Sequence, residues 1–150
     1  MILIPGNAVT SREADTDFSK LNTYKVEQIG EKVAILALGD FYQKGEELSH
    51  QIEAQLGFKP TLINPRFANG VDEKCLKDLQ KNHSLVITME DGILDGGFGQ
   101  KVASFYALTD MKVKTYGLKR EFYDRYNPAK LLKELGMTPE QIISDIKNLI

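Results

Sequence analysis

The stretch Ser84-Leu-Val-Ile-Thr-Met-Glu-Asp-Gly-Ile-Leu-Asp-Gly-Gly-Phe-Gly-Gln-Lys-Val102 decides the fold. Ser84 to Met89 is a short apolar run of strand length, and such a run reads as a strand buried on both faces. Gly92 and Gly96-Gly-Phe-Gly99 follow, and Val102, Phe105, Tyr106 and Leu108 then recur at helical spacing. Strand, glycine cluster and helix in that order are one βα unit of an α/β protein.

The same unit repeats on either side. Upstream, Val33-Ala-Ile-Leu-Ala-Leu38 is a second buried run, and Tyr24, Val26 and Gln28 suggest a short strand before it. Leu48, Ile52 and Leu56 give a helix after Gly45 one apolar stripe, which ends at Gly57. Thr61-Leu-Ile63 is the next strand, and Val71, Cys75 and Leu79 mark a helix that Asp72 caps. Downstream, Lys112-Val-Lys-Thr-Tyr116 alternates polar and apolar residues, as a half-exposed edge strand does. Asn127, Pro128 and Gly136 frame one terminal helix, and Thr138-Pro-Glu-Gln141 is a capping box for a second. The stripe of that second helix is Ile142, Ile143, Ile146, Leu149 and Ile150. Short loops and right-handed crossovers then imply a three-layer, doubly wound, mostly parallel sheet. Strands near 33–38, 61–63, 84–89 and 112–116 are expected in the order 2-1-3-4.

Composition bounds the function. The 150 residues suffice for one domain, with 42% hydrophobic and 27% charged residues and a net charge of −2. No broad basic face for nucleic acid is evident, and no apolar run approaches the roughly eighteen residues of a membrane span. The first residues lack the basic start of a signal peptide, so the cytoplasm is expected. A single cysteine, Cys75, excludes an internal disulfide framework.

Ligands of doubly wound sheets sit beyond the carboxyl ends of the strands. Four segments qualify: Gly39-Asp40, Asn64-Pro-Arg66, Glu90-Asp91 and Gly117 to Arg120. Glu90 and Asp91 point oppositely in extended backbone, which suits a loop-fixing or interface role better than a shared proton. Gly96, Gly97 and Gly99 could present backbone N–H groups to an anion. With Lys119 and Arg120 downstream, Gly97-x-Gly99-x-x-Val102 weakly resembles a dinucleotide fingerprint, although a valine stands at its third glycine. Arg66 could hold a carboxylate or phosphate, or pair with another domain. His50 is expected in solvent, and His83 is expected to carry charge at a helix C-terminus.

Read together, these segments resemble the C-terminal domain of the 1-deoxy-D-xylulose-5-phosphate synthases, in the transketolase family. The resemblance rests on Gly30-Glu-Lys-Val-Ala-Ile-Leu-Ala-Leu-Gly39, Asn64-Pro-Arg-Phe67 with Val71-Asp-Glu73, and Thr88-Met-Glu-Asp91 through Gly96-Gly-Phe-Gly99 and Val102. Gly117-Leu118, Phe122 and Leu131-Leu-Lys-Glu-Leu-Gly136 complete it, and the Glu-Leu-Gly ending favours the synthase over transketolase proper or a 2-oxo-acid dehydrogenase β subunit. The family's Pro-Asp after Gly-Leu is Lys119-Arg120 here, and its Asn after the acidic pair is Gly92.

The resemblance implies an enzyme that condenses pyruvate with glyceraldehyde 3-phosphate, using thiamine diphosphate and magnesium held by its other two domains. Residues 23–150 would be the C-terminal domain, and 1–22 a linker with the end of the preceding pyrimidine-binding domain, which Ile4-Pro-Gly-Asn-Ala-Val9 resembles. No cofactor is expected on this chain, because Gly39-Asp40-Phe41 breaks the magnesium motif and Glu90 lies in the wrong domain to be the activating glutamate. No catalytic residue and no metal ligand is expected either. Arg66, Glu90, Asp91, Gly96, Gly97 and Gly99 are expected to line the substrate channel or to contact the missing domains. The whole enzyme is expected to be a homodimer, touching neither nucleic acid nor membrane. A free-standing phosphate- or dinucleotide-binding module, or a separately encoded regulatory domain, is the competing reading.

Overall fold

The structure, a computed structural model, describes residues 19–150; the stretch Ile4 to Val9 and most of the polar connector Ser11 to Lys20 lie outside them. The chain runs β1 (Lys25–Gln28), β2 (Lys32–Ala37), α1 (Tyr42–Leu56), β3 (Thr61–Asn64), α2 (Glu73–Leu79), β4 (His83–Ile93), α3 (Phe98–Tyr106), β5 (Lys112–Leu118), α4 (Pro128–Glu134) and α5 (Pro139–Leu149). The sheet order is β1-β3-β2-β4-β5. Strands β3, β2, β4 and β5 are parallel, in the order expected, and β1 closes one edge antiparallel to β3.

Alternation along the central strands sorts side chains into two cores. Val33, Ile35 and Ala37 of β2 and Leu85, Ile87 and Met89 of β4 meet Leu48 and Ile52 of α1 and Ile142, Ile143 and Ile146 of α5. Ala34, Leu36 and Val86 point the other way, onto Leu76 of α2 and Phe98, Val102 and Tyr106 of α3. These are the three layers of a doubly wound fold. Thr138 accepts from the Gln141 N–H and completes the capping box of α5. That cap stabilises the helix by about 1 kcal/mol. Burying Ile142, Ile143 and Ile146 contributes about 1.5–3 kcal/mol each, so docking rather than capping holds α5 in place.

Several expectations are corrected. Helix α1 starts at Tyr42 and runs through Gly45, where an added Cβ would lie 2.6 Å from Ala37 Cβ; this glycine lets helix and sheet touch. Leu108 falls beyond α3 and is fully exposed, and Ile150 is half-exposed because the stripe of α5 ends before it. Strand β4 continues past Met89 to Ile93. Cys75 is partly buried against the second core, with burial pushing its thiol up to about 11. Among the described residues no helix is long and apolar enough to cross a membrane.

His50 is exposed, as expected. His83 is not the helix-terminal charge anticipated. Its Nδ1 lies 2.9 Å from the Leu79 carbonyl, which can only accept, so Nδ1 carries the proton. Its Nε2 then takes the Thr61 hydroxyl at 2.8 Å, while that oxygen accepts the Gly30 N–H at 2.8 Å. The neutral ring satisfies every partner. Burial holds its pKa below the ordinary histidine value, against the opposing pull of the Leu79 carbonyl and Glu31. The unfolded chain therefore binds a proton below about pH 6.5 that the folded chain refuses, so stability is full above that pH and is lost as pH falls through the depressed folded pKa. Urea midpoints are expected to drop between neutrality and mild acid, and less steeply in His83→Gln. An equally steep drop in the variant would exclude this histidine as the cause.

Candidate functional site

Because β2 to β5 are parallel, the segments after them share one end of the sheet. Arg66 follows β3, Glu90 to Gly99 occupy the end of β4, and Gly117 to Arg120 end β5. Lys101 of α3 donates to the Ala68 carbonyl at 2.9 Å, joining the connection after β3 to the glycine cluster.

The end of β4 is a bulge. Met89 pairs with Tyr116 and Ile93 with Leu118, so Glu90, Asp91 and Gly92 stand opposite Gly117 alone. The bulge turns Glu90 inward, 4% exposed, and leaves Asp91 in solvent. The Glu90 carboxylate accepts from the Phe98 N–H (2.9 Å, Oε2) and the Gly99 N–H (2.8 Å, Oε1), in the first turn of α3. Gly97, at the N-cap, offers no capping side chain, so Glu90 takes over that task from the neighbouring strand.

The glycines make room for this carboxylate. A Cβ at Gly97 would lie 2.8 Å from both Glu90 oxygens and 2.5 Å from the Ile93 carbonyl. At Gly99 it would lie 2.4 Å from Thr88 Oγ1, a buried hydroxyl with no hydrogen-bond partner among the described residues. Gly96 turns the chain into the helix with φ of 76°, its N–H donating to Gln100 Oε1. Free helix N-termini attract anions. Here the anion is already present, eight residues upstream on the same chain, so the cradle imagined for a phosphate or dinucleotide is filled. Lys119 and Arg120 are exposed and lie beyond it.

Arg66 takes a left-handed backbone (φ 63°), its N–H held by Asn64 Oδ1 at 3.0 Å. Its guanidinium donates through Nε (3.1 Å) and Nη2 (2.7 Å) to the Thr23 carbonyl, and its plane lies over Phe67. Asp72, besides capping α2 through Cys75 N–H (3.0 Å), accepts the Tyr24 N–H at 2.9 Å. Arg66 and Asp72 thus clamp the chain where it enters the domain, a pairing of which only the Asp72 cap is legible in the sequence. Asp40 sits exposed in a 3-10 turn, apart from this clamp. Among the described residues no three His, Cys, Asp or Glu side chains gather to hold a metal ion.

Residues 22–142 match the family described as the transketolase C-terminal domain. Similar curated proteins include a 1-deoxy-D-xylulose-5-phosphate synthase of Alkaliphilus oremlandii, 34% identical over 145 residues, covering 92% of this chain and 23% of that protein. One from Prochlorococcus marinus strain SARG is 30% identical over 145 residues, covering 95% and 22%. The chain thus spans under a quarter of the length of these relatives. Among solved structures, a split-gene transketolase described as an inactive beta4 tetramer aligns with a TM-score of 0.75 at 22% identity, over 87% of this chain and 43% of that one. The transketolase of Campylobacter jejuni aligns at 0.56 and 16% identity, over 85% and 19%. At these identities the two structures speak for the fold alone.

Proposed function

The chain belongs to the transketolase C-terminal domain family, and from that premise we propose that it is the C-terminal domain of a 1-deoxy-D-xylulose-5-phosphate synthase. The whole enzyme, in this reading, condenses pyruvate with glyceraldehyde 3-phosphate in the cytoplasm, as a homodimer. Residues 23–150 form the domain, and the preceding ones lead from the pyrimidine-binding domain. The reading draws on the relatives that carry that enzyme's name.

One observation carries the domain's share of the work: the Glu90 carboxylate closes the N-terminus of α3 from within. The end of the sheet is thereby a shaped surface instead of an open anion site. Asp91 and the glycine turn face outward from it as contacts for the catalytic domains, with Arg66 fixing the incoming chain. Glu90 is a positioning residue there.

The residues present do not fit thiamine diphosphate with its magnesium. The glycine-rich helix start is occupied by a carboxylate, which would repel a diphosphate, and among the described residues no acidic cluster that could hold a metal ion gathers beside it. Catalysis by such a cofactor needs its reactive carbon held against substrate, and that positioning belongs to other domains. Calorimetric titration of the chain with thiamine diphosphate and magnesium is expected to give no saturable heat. Micromolar binding would overturn the assignment of a non-binding domain.

A further inference from the structure

The connection from β3 to α2 carries Asn69-Gly70, the only Asn-Gly pair in the sequence. Both residues are exposed and lie outside helix and strand, and Gly70 has a φ of 73°. No backbone hydrogen bond among the described residues holds the Gly70 N–H. A backbone nitrogen so placed can attack the side-chain amide before it, because glycine has no Cβ to shield the approach. The other asparagines of the described residues each lack one of these conditions. Asn64 and Asn127 precede prolines, whose nitrogen carries no hydrogen. Asn148 lies in α5, while Asn22 and Asn82 precede Thr23 and His83, whose side chains crowd the nitrogen. Two Asp-Gly pairs at the same end of the sheet are restrained as well: Gly92 lies within β4, and Gly96 donates its N–H to Gln100 Oε1.

We propose that Asn69 is a site of spontaneous covalent modification, at which the Gly70 nitrogen closes a succinimide ring on Asn69 Cγ. The nitrogen gives its proton to solvent and forms the new C–N bond, while the Cγ–NH₂ bond breaks and the amide nitrogen leaves as ammonia, taking a proton from solvent. Water then opens the ring at one of its two carbonyls. One opening gives aspartate; the other gives isoaspartate, whose main chain runs through the former side chain. One water is consumed and one ammonia released, with no oxidant, reductant or further co-reactant. Either product adds one negative charge to a chain of net charge −2, and isoaspartate also lengthens the backbone by a methylene. The change falls in a defined place. Lys101 donates to the carbonyl of Ala68, the residue before Asn69, and with Gly70 it lines an open groove of about 500 Å³. The new carboxylate therefore arises beside an ammonium, at the end of the sheet that the enzyme reading turns towards the other domains.

The chemistry needs this chain alone, so the proposal stands without the enzyme reading. The purified 150-residue chain is incubated at neutral to mildly alkaline pH, folded and in urea, then digested with trypsin beside an unincubated control. The peptide Phe67 to Lys74 is followed for the mass gain of an amide turned to acid, and for isoaspartate by enzymatic methylation. Isoaspartate is diagnostic, since direct hydrolysis of the amide gives aspartate alone. The folded chain is expected to react at a rate within about tenfold of the chain in urea, because no opening of structure must come before the attack. The rate is expected to rise about tenfold per pH unit, as loss of one proton from the attacking nitrogen requires. Asn69→Ser should keep the wild-type circular dichroism, the side chain being exposed, and should remove the isoaspartate. Reaction confined to the chain in urea would overturn the proposal. So would aspartate without isoaspartate, modification as fast at Asn22 or Asn82, or isoaspartate undiminished in Asn69→Ser.

Discussion

Replacing Glu90 with alanine is expected to lower the stability of the chain by about 3–5 kcal/mol, with formate or acetate restoring part of the loss. The carboxylate is 4% exposed and accepts two backbone N–H groups. Hydrogen bonds to a charged group contribute about 1.5–3 kcal/mol each, and negative charge at a helix N-terminus adds about 0.3–1 kcal/mol. Deleting it strands the Phe98 and Gly99 amides against a cavity with no capping side chain, because Gly97 supplies none. Against a total stability of about 5–15 kcal/mol for a domain, the variant is expected to fold with a greatly reduced margin. Small carboxylates fit the vacancy, so urea midpoints of Glu90→Ala should rise with formate concentration while those of the wild type do not. Glu90→Gln should fall between the two, since its amide keeps one acceptor and turns an N–H₂ towards the other amide. A loss under about 1 kcal/mol, or no response to formate, would mean that the carboxylate does not hold the helix.

Strands and their order were legible because each is an apolar run in a strand-and-helix alternation. Thr61 to Ile63, Val33 to Leu38, Ser84 to Met89 and Lys112 to Tyr116 could be arranged only a few ways once right-handed crossovers were imposed. Helix ends at Gly57, Asn127 and Thr138 were legible because capping is local chemistry. The bulge at Glu90 was not. Glu90-Asp91 reads as lying just past the strand, and only the pairing of Ile93 with Leu118 shows that the strand continues. For the same reason Gly96 to Gly99 read as an open cradle, since the sequence does not reveal that its anion sits on a neighbouring strand. A glutamate at a strand end eight residues before Phe98 in a Gly-x-Gly turn is the signal that could have found it. The apolar stripe starts the helix only after Gly45, because glycine's use for close packing on Ala37 depends on what lies beneath it. Arg66 grips backbone 43 residues away, which no local pattern encodes.

The second large effect is all-or-none, and it bears on the central claim that this domain shapes an enzyme without carrying its chemistry. The described residues neither gather a metal site nor leave the helix start open to a diphosphate. Orienting cofactor and substrate supplies about 7–11 kcal/mol of a reaction barrier, and in the proposed enzyme that positioning falls to the other two domains. The measurement is carbon dioxide release from pyruvate and glyceraldehyde 3-phosphate, with thiamine diphosphate and magnesium supplied. It compares the chain alone, a polypeptide carrying the other two domains of such a synthase from the same source, and the mixture. Turnover is expected in the mixture and none from the chain alone; turnover by the chain alone, or a mixture as inactive as its parts, would contradict that claim.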